Sequence, residues 1–190
     1  TPTGAVRLVV RPQDFFPMRL TFGSDGKLWA AGGFGVGGEG RDRDYDVLRA
    51  YDQNGVQQLS LLPVSSFPAG KAQPAQRSLL TNADQGVVLL SRERQELIWV
   101  SNEGKVARRA SFHLPGQNVS ITGFSAGTNG DLYMSCQAGS GAAEETVGFY
   151  RWNGESSSWT PTYTRLGRER GGYHAFFGFA QNLMLVSTRL

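Results

Sequence analysis

The residues whose types and spacing could do chemistry are gathered in Arg41-Asp42-Arg43-Asp44-Tyr45-Asp46. Asp42, Asp44 and Asp46 alternate at spacing two, so an extended chain turns all of these carboxylates to one side. Such a row could chelate a hard cation such as Ca²⁺, which takes about six to eight oxygen ligands. Arg41 and Arg43 interleave with it and neutralise part of its charge, and the turn glycine and distal Glu of a calcium loop are missing. The segment is therefore read as a charged binding loop, acting through Arg41, Asp42, Asp44, Tyr45 and Asp46, with no metal and no cofactor expected. A second candidate is Tyr173-His174, where an imidazole able to change charge near neutral pH follows Gly171-Gly172 at the start of a predicted strand. No set of acids, bases or metal ligands accompanies His174 in the sequence, so Tyr173 and His174 are assigned to binding and the catalytic residues are left unknown. His113, the other histidine, falls near the end of a predicted strand and reads as half-buried.

The charged loop is the far end of an unusual segment. Gly32–Gly40 holds six glycines in nine residues, a composition that cannot form a regular element cheaply. It lacks the Gly-Lys-Ser/Thr ending of a phosphate loop, and no helix follows to supply a dipole. It reads as a flexible excursion between two strands.

Composition says what must position these residues. In 190 residues, hydrophobic types make up 39% and Gly occurs 25 times, about twice ordinary usage, while no helix-forming runs of Ala, Leu, Glu and Lys appear. That balance, with aromatics at 11%, fits an all-β chain rich in turns. The net charge of +3 is mild and its arginines are scattered, so nucleic acid is not an expected partner. A single cysteine, Cys136, excludes an internal disulfide and a cysteine-based zinc cluster, and its alternating apolar surroundings predict a buried, inert thiol. No apolar run reaches the roughly 18–20 residues of a membrane span. The chain opens Thr1-Pro2-Thr3-Gly4 without Met, which reads as a processed or excised piece.

Taken in order, the strands come in fours. Met18–Phe22, Lys27–Ala31, Val47–Asp52 and Val56–Leu62 are joined by turns at Asp25-Gly26 and Asn54-Gly55, with the glycine-rich excursion in the middle. Arg77–Thr81, Val87–Leu90, Glu96–Val100 and Lys105–His113 repeat the order around Gly86 and Gly104. Val119–Ser125, Asp131–Cys136, Thr146–Trp152 and Ser158–Arg165 repeat it around Gly130 and Gly154. Tyr173–Phe179 and Leu183–Thr188 begin a further round, and Ala5–Pro12 has the form of an outer, edge strand closed by Pro. The glycines of the second turn, Gly55, Gly104 and Gly154, fall 49 and 50 residues apart. A four-strand unit of about 45–50 residues is the period of β-propeller blades.

The phrase Ser24-Asp-Gly-Lys-Leu-Trp-Ala-Ala-Gly32, followed by Leu48-Arg-Ala-Tyr-Asp-Gln-Asn-Gly55, resembles blades of the NHL and streptogramin-lyase-like propellers. It looks closer still to the repeats of two-component-regulator propellers. Ile98-Trp99-Val100 with Gly104, and Asn129-Gly-Asp-Leu-Tyr133 with Phe149–Gly154, are weaker copies. The resemblance implies propeller-like four-stranded antiparallel blades over residues 18–63, 77–115 and 119–166, and a partial blade from 173–190 with strand 5–12. About three full blades in one domain spanning 1–190 would be part of a larger propeller, associated with a missing remainder. An irregular β-sandwich or small barrel is the alternative. The same resemblance implies a non-enzymatic binding, sensing or protein-interaction module, extracytoplasmic and bacterial, with an unspecified protein or small-molecule partner. A metal-dependent lyase or lactonase with a site at the channel mouth is the competing class. In either case the binding face would collect Gln13–Pro17, Gly32–Asp46, Val64–Gln76, Ser91–Gln95, Gln137–Glu145 and Gly167–Gly172. Long loops on a rigid scaffold are where function concentrates.

Overall fold

Four of the tight turns fold to one geometry, and the chain's architecture follows from them. At Gly23–Lys27, Asp52–Val56, Ser101–Lys105 and Gly127–Asp131 the first residue's amide donates to the carbonyl of the last at 2.8–3.0 Å. Inside each, a glycine amide donates back to the first residue's carbonyl at 2.9–3.1 Å. The glycines Gly26, Gly55, Gly104 and Gly130 all take φ between 77° and 84°, the left-handed region a side chain resists. This is the short hairpin loop that closes on a left-handed glycine.

The computed structural model describes residue 10 and residues 15–34, 44–67, 78–114, 119–127, 129–138, 145–167, 176–180 and 183–187. Strands β1 (Phe15–Phe22), β2 (Leu28–Phe34), β3 (Asp46–Tyr51) and β4 (Gln57–Pro63) form one antiparallel sheet in sequence order. A 3₁₀ turn at Val64–Ser66 follows it. Strands β5 (Ser78–Ala83), β6 (Gly86–Ser91), β7 (Glu96–Ser101) and β8 (Val106–Ser111) form the second sheet. The third consists of β9 (Val119–Ala126), β10 (Leu132–Ala138), β11 (Glu145–Asn153) and β12 (Ser158–Gly167), and β13 (Phe176–Ala180) pairs with β14 (Leu183–Ser187). The described residues are all-β, with three four-stranded antiparallel sheets among them, as the turns and alternation predict.

The sheets stack face to face, and period-two alternation decides which side chains meet. Trp29, Ala31, Val47, Leu48 and Ala50 of the first sheet pack against Leu80, Val87, Leu89, Ile98 and Val100 of the second. The opposite face of the second sheet, with Leu79, Val88, Leu90 and Leu97, meets Ile121, Leu132, Met134, Cys136, Trp152 and Trp159 of the third. Val87–Leu90 of β6 is therefore wholly buried, which is why it reads as an unbroken apolar run. Each such side chain contributes about 1.5–3 kcal/mol of transfer free energy. Trp159 sits edge-on to Trp152 at 5.2 Å, to Phe112 at 5.9 Å and to Phe124 at 6.5 Å. The first strands of successive sheets also lie against one another, β1 against β5, β5 against β9 and β9 against β13. The Thr81 hydroxyl of β5 accepts a hydrogen bond from the Ala126 amide of β9 at 2.9 Å.

Several boundaries differ from the sequence reading, for local reasons. β1 starts at Phe15 and runs through Pro17, whose missing N–H is tolerated because β1 is an edge strand with its register shifting between Pro17 and Arg19. β2 continues through Gly32, where a Cβ would stand 2.1 Å from the Phe16 carbonyl oxygen, so glycine here permits a close strand approach rather than a loop. Gly86 is likewise not a turn residue: it pairs with Ala83 and with Ser101 inside the sheet. Gly154 lies in a longer turn whose positive φ belongs to Ser157, at 49°. β13 is described from Phe176, and Tyr173, where the predicted strand starts, lies outside the described residues. The predicted strand Ala5–Pro12 lies outside the described residues except for Val10, which packs against Phe15, Ala30 and Tyr51.

Candidate functional site

Antiparallel order places the turns between the first and second and between the third and fourth strands of each sheet at one end, and the second-to-third-strand and sheet-to-sheet connections at the other. Contacts between sheets keep those ends in step. At the turn end, Asn102 Nδ2 donates to Ser24 Oγ at 3.2 Å, and Arg108 donates to the Gly154 carbonyl at 3.1 Å. At the other end, two connections converge on the 3₁₀ turn Val64–Ser66, which itself belongs to a third, and the candidate site is built there.

The first connection arrives through Asp44. Its Oδ1 accepts from the Ser65 amide at 2.9 Å and its Oδ2 from the Ser65 hydroxyl at 2.6 Å. Next to it, the Tyr45 carbonyl accepts from the Val64 amide at 2.7 Å. These bonds hold the Asp44 carboxyl below its ordinary value, the Ser65 hydroxyl contributing most. The side chain of Tyr45 turns inward, joins the core between the first two sheets at 7% exposure, and has its phenol pKa raised by that burial. Asp46 starts β3 opposite Pro63. Leu62, just before, is held at φ 61°, a strained state for a bulky side chain, while its isobutyl group is buried in the same core.

The second connection is the β6–β7 turn. Arg94 donates to the Ser66 carbonyl and places its guanidinium 5.8 Å from the centre of the Phe67 ring. Arg94 and Arg109 share the Glu96 carboxylate, at 3.6 and 2.9 Å. The third is the chain leaving β4 itself, through Ser66 and the buried Phe67. Around the next inter-sheet gap, Arg92 and Glu93 face Leu114, Val119, Ser120 and Ile121 across a recess of about 200 Å³. The rim is thus rigid, charged and cross-braced.

Of the residues expected to form a site, Asp44 is joined to Ser65, Tyr45 turns its side chain into the core, and Asp46 pairs with Pro63. Arg41, Asp42, Tyr173 and His174 lie outside the described residues. Among the described residues no group of three or more His, Cys, Asp or Glu side chains is placed to hold a metal ion. No helix among them is long and apolar enough to cross a membrane. His113 is exposed. Cys136 is 2% exposed and burial pushes its thiol up to about 12, so the nucleophilic thiolate is suppressed, as expected.

Two features were not picked out from the sequence. Gly123-Phe-Ser-Ala-Gly127 has the spacing of a nucleophile elbow. That motif needs a sharp strand-to-helix turn, whereas Ser125 sits inside β9 opposite Tyr133. The other is the Asp44–Ser65 link and its partner Arg94–Ser66, for which an acidic residue before a strand and an Arg in a turn were the only signals. The chain matches no protein-family model and no curated protein.

Proposed function

We propose that the chain is a propeller-type binding module that takes its ligand at the end where the long connections emerge. Two observations support the propeller form. Three successive four-stranded meanders stack face to face, and their first strands lie side by side from β1 through β5 and β9 to β13, as blades do around an axis. The observation that carries the binding role is the convergence on Val64–Ser66. Asp44 and Arg94 tie two different connections to this turn, so loops that repeat architecture alone does not require are anchored to a stiff base. Pre-organised loops on a rigid scaffold lower the ordering cost of binding. Arg41, Asp42, Asp46, Tyr173 and His174 belong to this proposed surface, and the partner is a small polar molecule or a protein segment.

A thermal-shift screen of amino acids, nucleotides and organic acids against the full chain tests the reading. A ligand that stabilises the protein is expected to move NMR amide signals of residues 44–46, 64–67 and 92–95. The double variant Asp44→Ala/Arg94→Ala should weaken that ligand about tenfold or more, the scale of one lost charge-assisted contact. Turnover of the ligand, or a footprint confined to other residues, would overturn it.

A further inference from the structure

The far face of the third sheet departs from the repeat in a way that points to a second site. The residues that begin the second-turn hairpins in the three sheets are Asp52, Ser101 and Asn153. Two positions earlier stand Ala50, Trp99 and Arg151, each on the face turned toward the following sheet. Ala50 is wholly buried against the second sheet, and Trp99 packs beside the core shared with the third. Their cross-strand partners are Leu59 and Arg108, and the Arg108 guanidinium lies 4.8 Å over the Trp99 ring. In the third sheet the equivalent pair is Arg151 and Thr160, and Arg151 is 53% exposed. At this one position the face is apolar in the first sheet and polar in the third, while Phe149, two residues earlier on the same face of β11, is buried.

The polar pair belongs to a cleft of about 500 Å³, whose described lining includes Asp131, Arg151, Asn153, Glu155, Thr160 and Thr162. The volume falls within the roughly 300–1,000 Å³ of small-ligand sites. The cleft is internally braced. Asp131 Oδ2 accepts from Arg151 at 2.7 Å and from Asn129 Nδ2 at 2.6 Å, and Asn153 Oδ1 accepts the Glu155 and Ser156 amides at 3.0 and 3.2 Å. Thr162 Oγ1 donates to the Phe149 carbonyl at 3.0 Å. Its charged lining sets Arg151 against Asp131 and Glu155, and Arg108 of the second sheet reaches only the Gly154 carbonyl beside it. The Arg151–Asp131 pair mixes both signs within the cleft, so its lining is not a single-sign patch. What remains on offer is an alternation of strong donors and acceptors: the other guanidinium N–H groups, the second Asp131 oxygen, the Asn153 amide and two hydroxyls. Adjacent hydroxyl groups, each able to donate and accept, match that alternation, with the carboxylate accepting from one and the guanidinium donating to the next.

We infer that this cleft binds a neutral, hydroxyl-rich ligand, an oligosaccharide, at the end of the molecule opposite the loop site. The two sites are independent. The test is NMR titration of the isotope-labelled full chain with cellotetraose, maltotetraose and xylotetraose as neutral probes, and with tetragalacturonate and spermidine as charged controls. At least one neutral probe is expected to move the signals of Asp131, Arg151, Asn153 and Thr160 while leaving residues 64–67 unmoved. Arg151→Ala should weaken that probe about tenfold, and Thr160→Val should weaken it less. Asp44→Ala/Arg94→Ala should leave it unchanged, which separates failure here from failure at the loop end. An unchanged unfolding midpoint in Arg151→Ala keeps the comparison valid; were that variant to unfold, Arg151→Lys, which keeps the charge and loses the fork, takes its place. Silence toward all three neutral probes, binding of a charged control alone, or neutral-probe binding indifferent to Arg151 would each overturn the inference.

Discussion

Asp44 and Ser65, separated by 21 residues, are joined by two hydrogen bonds from one carboxylate, at 2.9 Å to the amide and 2.6 Å to the hydroxyl. The link closes the glycine-rich excursion onto the turn that follows β4. It also gives the excursion and the connection to β5 a common root. Because the donor set favours the charged carboxylate, the folded Asp44 titrates below its ordinary 3.8.

Asp44→Ala is therefore expected to speed hydrogen exchange at the Ser65 amide and to lower the thermal midpoint slightly at neutral pH. The sign of the pH dependence follows from the depressed pKa. The stabilisation is present above 3.8 and is lost as the pH falls through the lower folded value, where both states are protonated. The midpoint difference between the natural chain and Asp44→Ala should close over that acid window. A difference that persists there would show that the carboxylate acts by shape rather than by charge.

Gly26 in a turn and Gly86 inside a sheet separate two kinds of constraint. A Cβ at Gly26 meets nothing within 4 Å, so Gly26→Ala is expected to cost only the left-handed backbone penalty, about 1–2 kcal/mol. A Cβ at Gly86 would stand 2.0 Å from the Val100 carbonyl oxygen, which is backbone and cannot step aside. Gly86→Ala should cost more, at or beyond the upper end of the roughly 1–3 kcal/mol of overpacked sites. Urea unfolding of both variants at constant slope decides the order. Equal losses would mean that β6 and β7 can separate without penalty.

These glycines also mark how far the sequence could be read. Gly26, Gly55, Gly104 and Gly130 were legible because a left-handed turn leaves a local signature in a few consecutive residues. Gly86 and Gly154 share the composition but not the geometry: one is needed for strand approach, and the other sits in a turn whose strain Ser157 carries. The stacking of the sheets was legible at β6, where Val87–Leu90 is apolar on both faces. Asp44–Ser65, Arg94–Ser66 and the polar pair Arg151–Thr160 were not. Each is a relation between distant segments, and pairing across such separations leaves no periodicity in the chain. Pro17 misled for a related reason: its absent N–H ends an inner strand but costs little on an edge.

Cys136 gives a prediction with the opposite pH sense. Burial between the second and third sheets raises its thiol to about 12, against an ordinary 9.0. Between these values the folded chain keeps a proton that the unfolded chain gives up, so this group's stabilisation is present below 9.0 and falls as the pH rises toward 12. At neutral pH the thiol should resist a disulfide reagent in the native protein and react fully in denaturant. Replacement by Ala should reduce the alkaline component of the unfolding curve, leaving the part that the phenols of Tyr45 and Tyr150, also raised by burial, contribute. Rapid native labelling would place Cys136 in a mobile environment and remove the basis for calling it inert.

Metal removal bears on the competing, enzymatic class. A divalent ion held at about a hundred times its Kd would stabilise the fold by about 2.7 kcal/mol, several degrees in thermal midpoint. Both Asp44 oxygens already accept from Ser65, so two of the carboxylate's acceptor sites are engaged and its position is fixed by the fold rather than by an ion. Arg94 and Arg109 occupy the Glu96 carboxylate in the same way. Dialysis against a chelator, followed by addition of Ca²⁺ or Mg²⁺, is therefore expected to leave the midpoint unmoved. A fall on chelation, reversed by either ion and abolished in Asp44→Asn, would assign the loop end to metal chemistry and replace the binding-module reading with a lyase or lactonase.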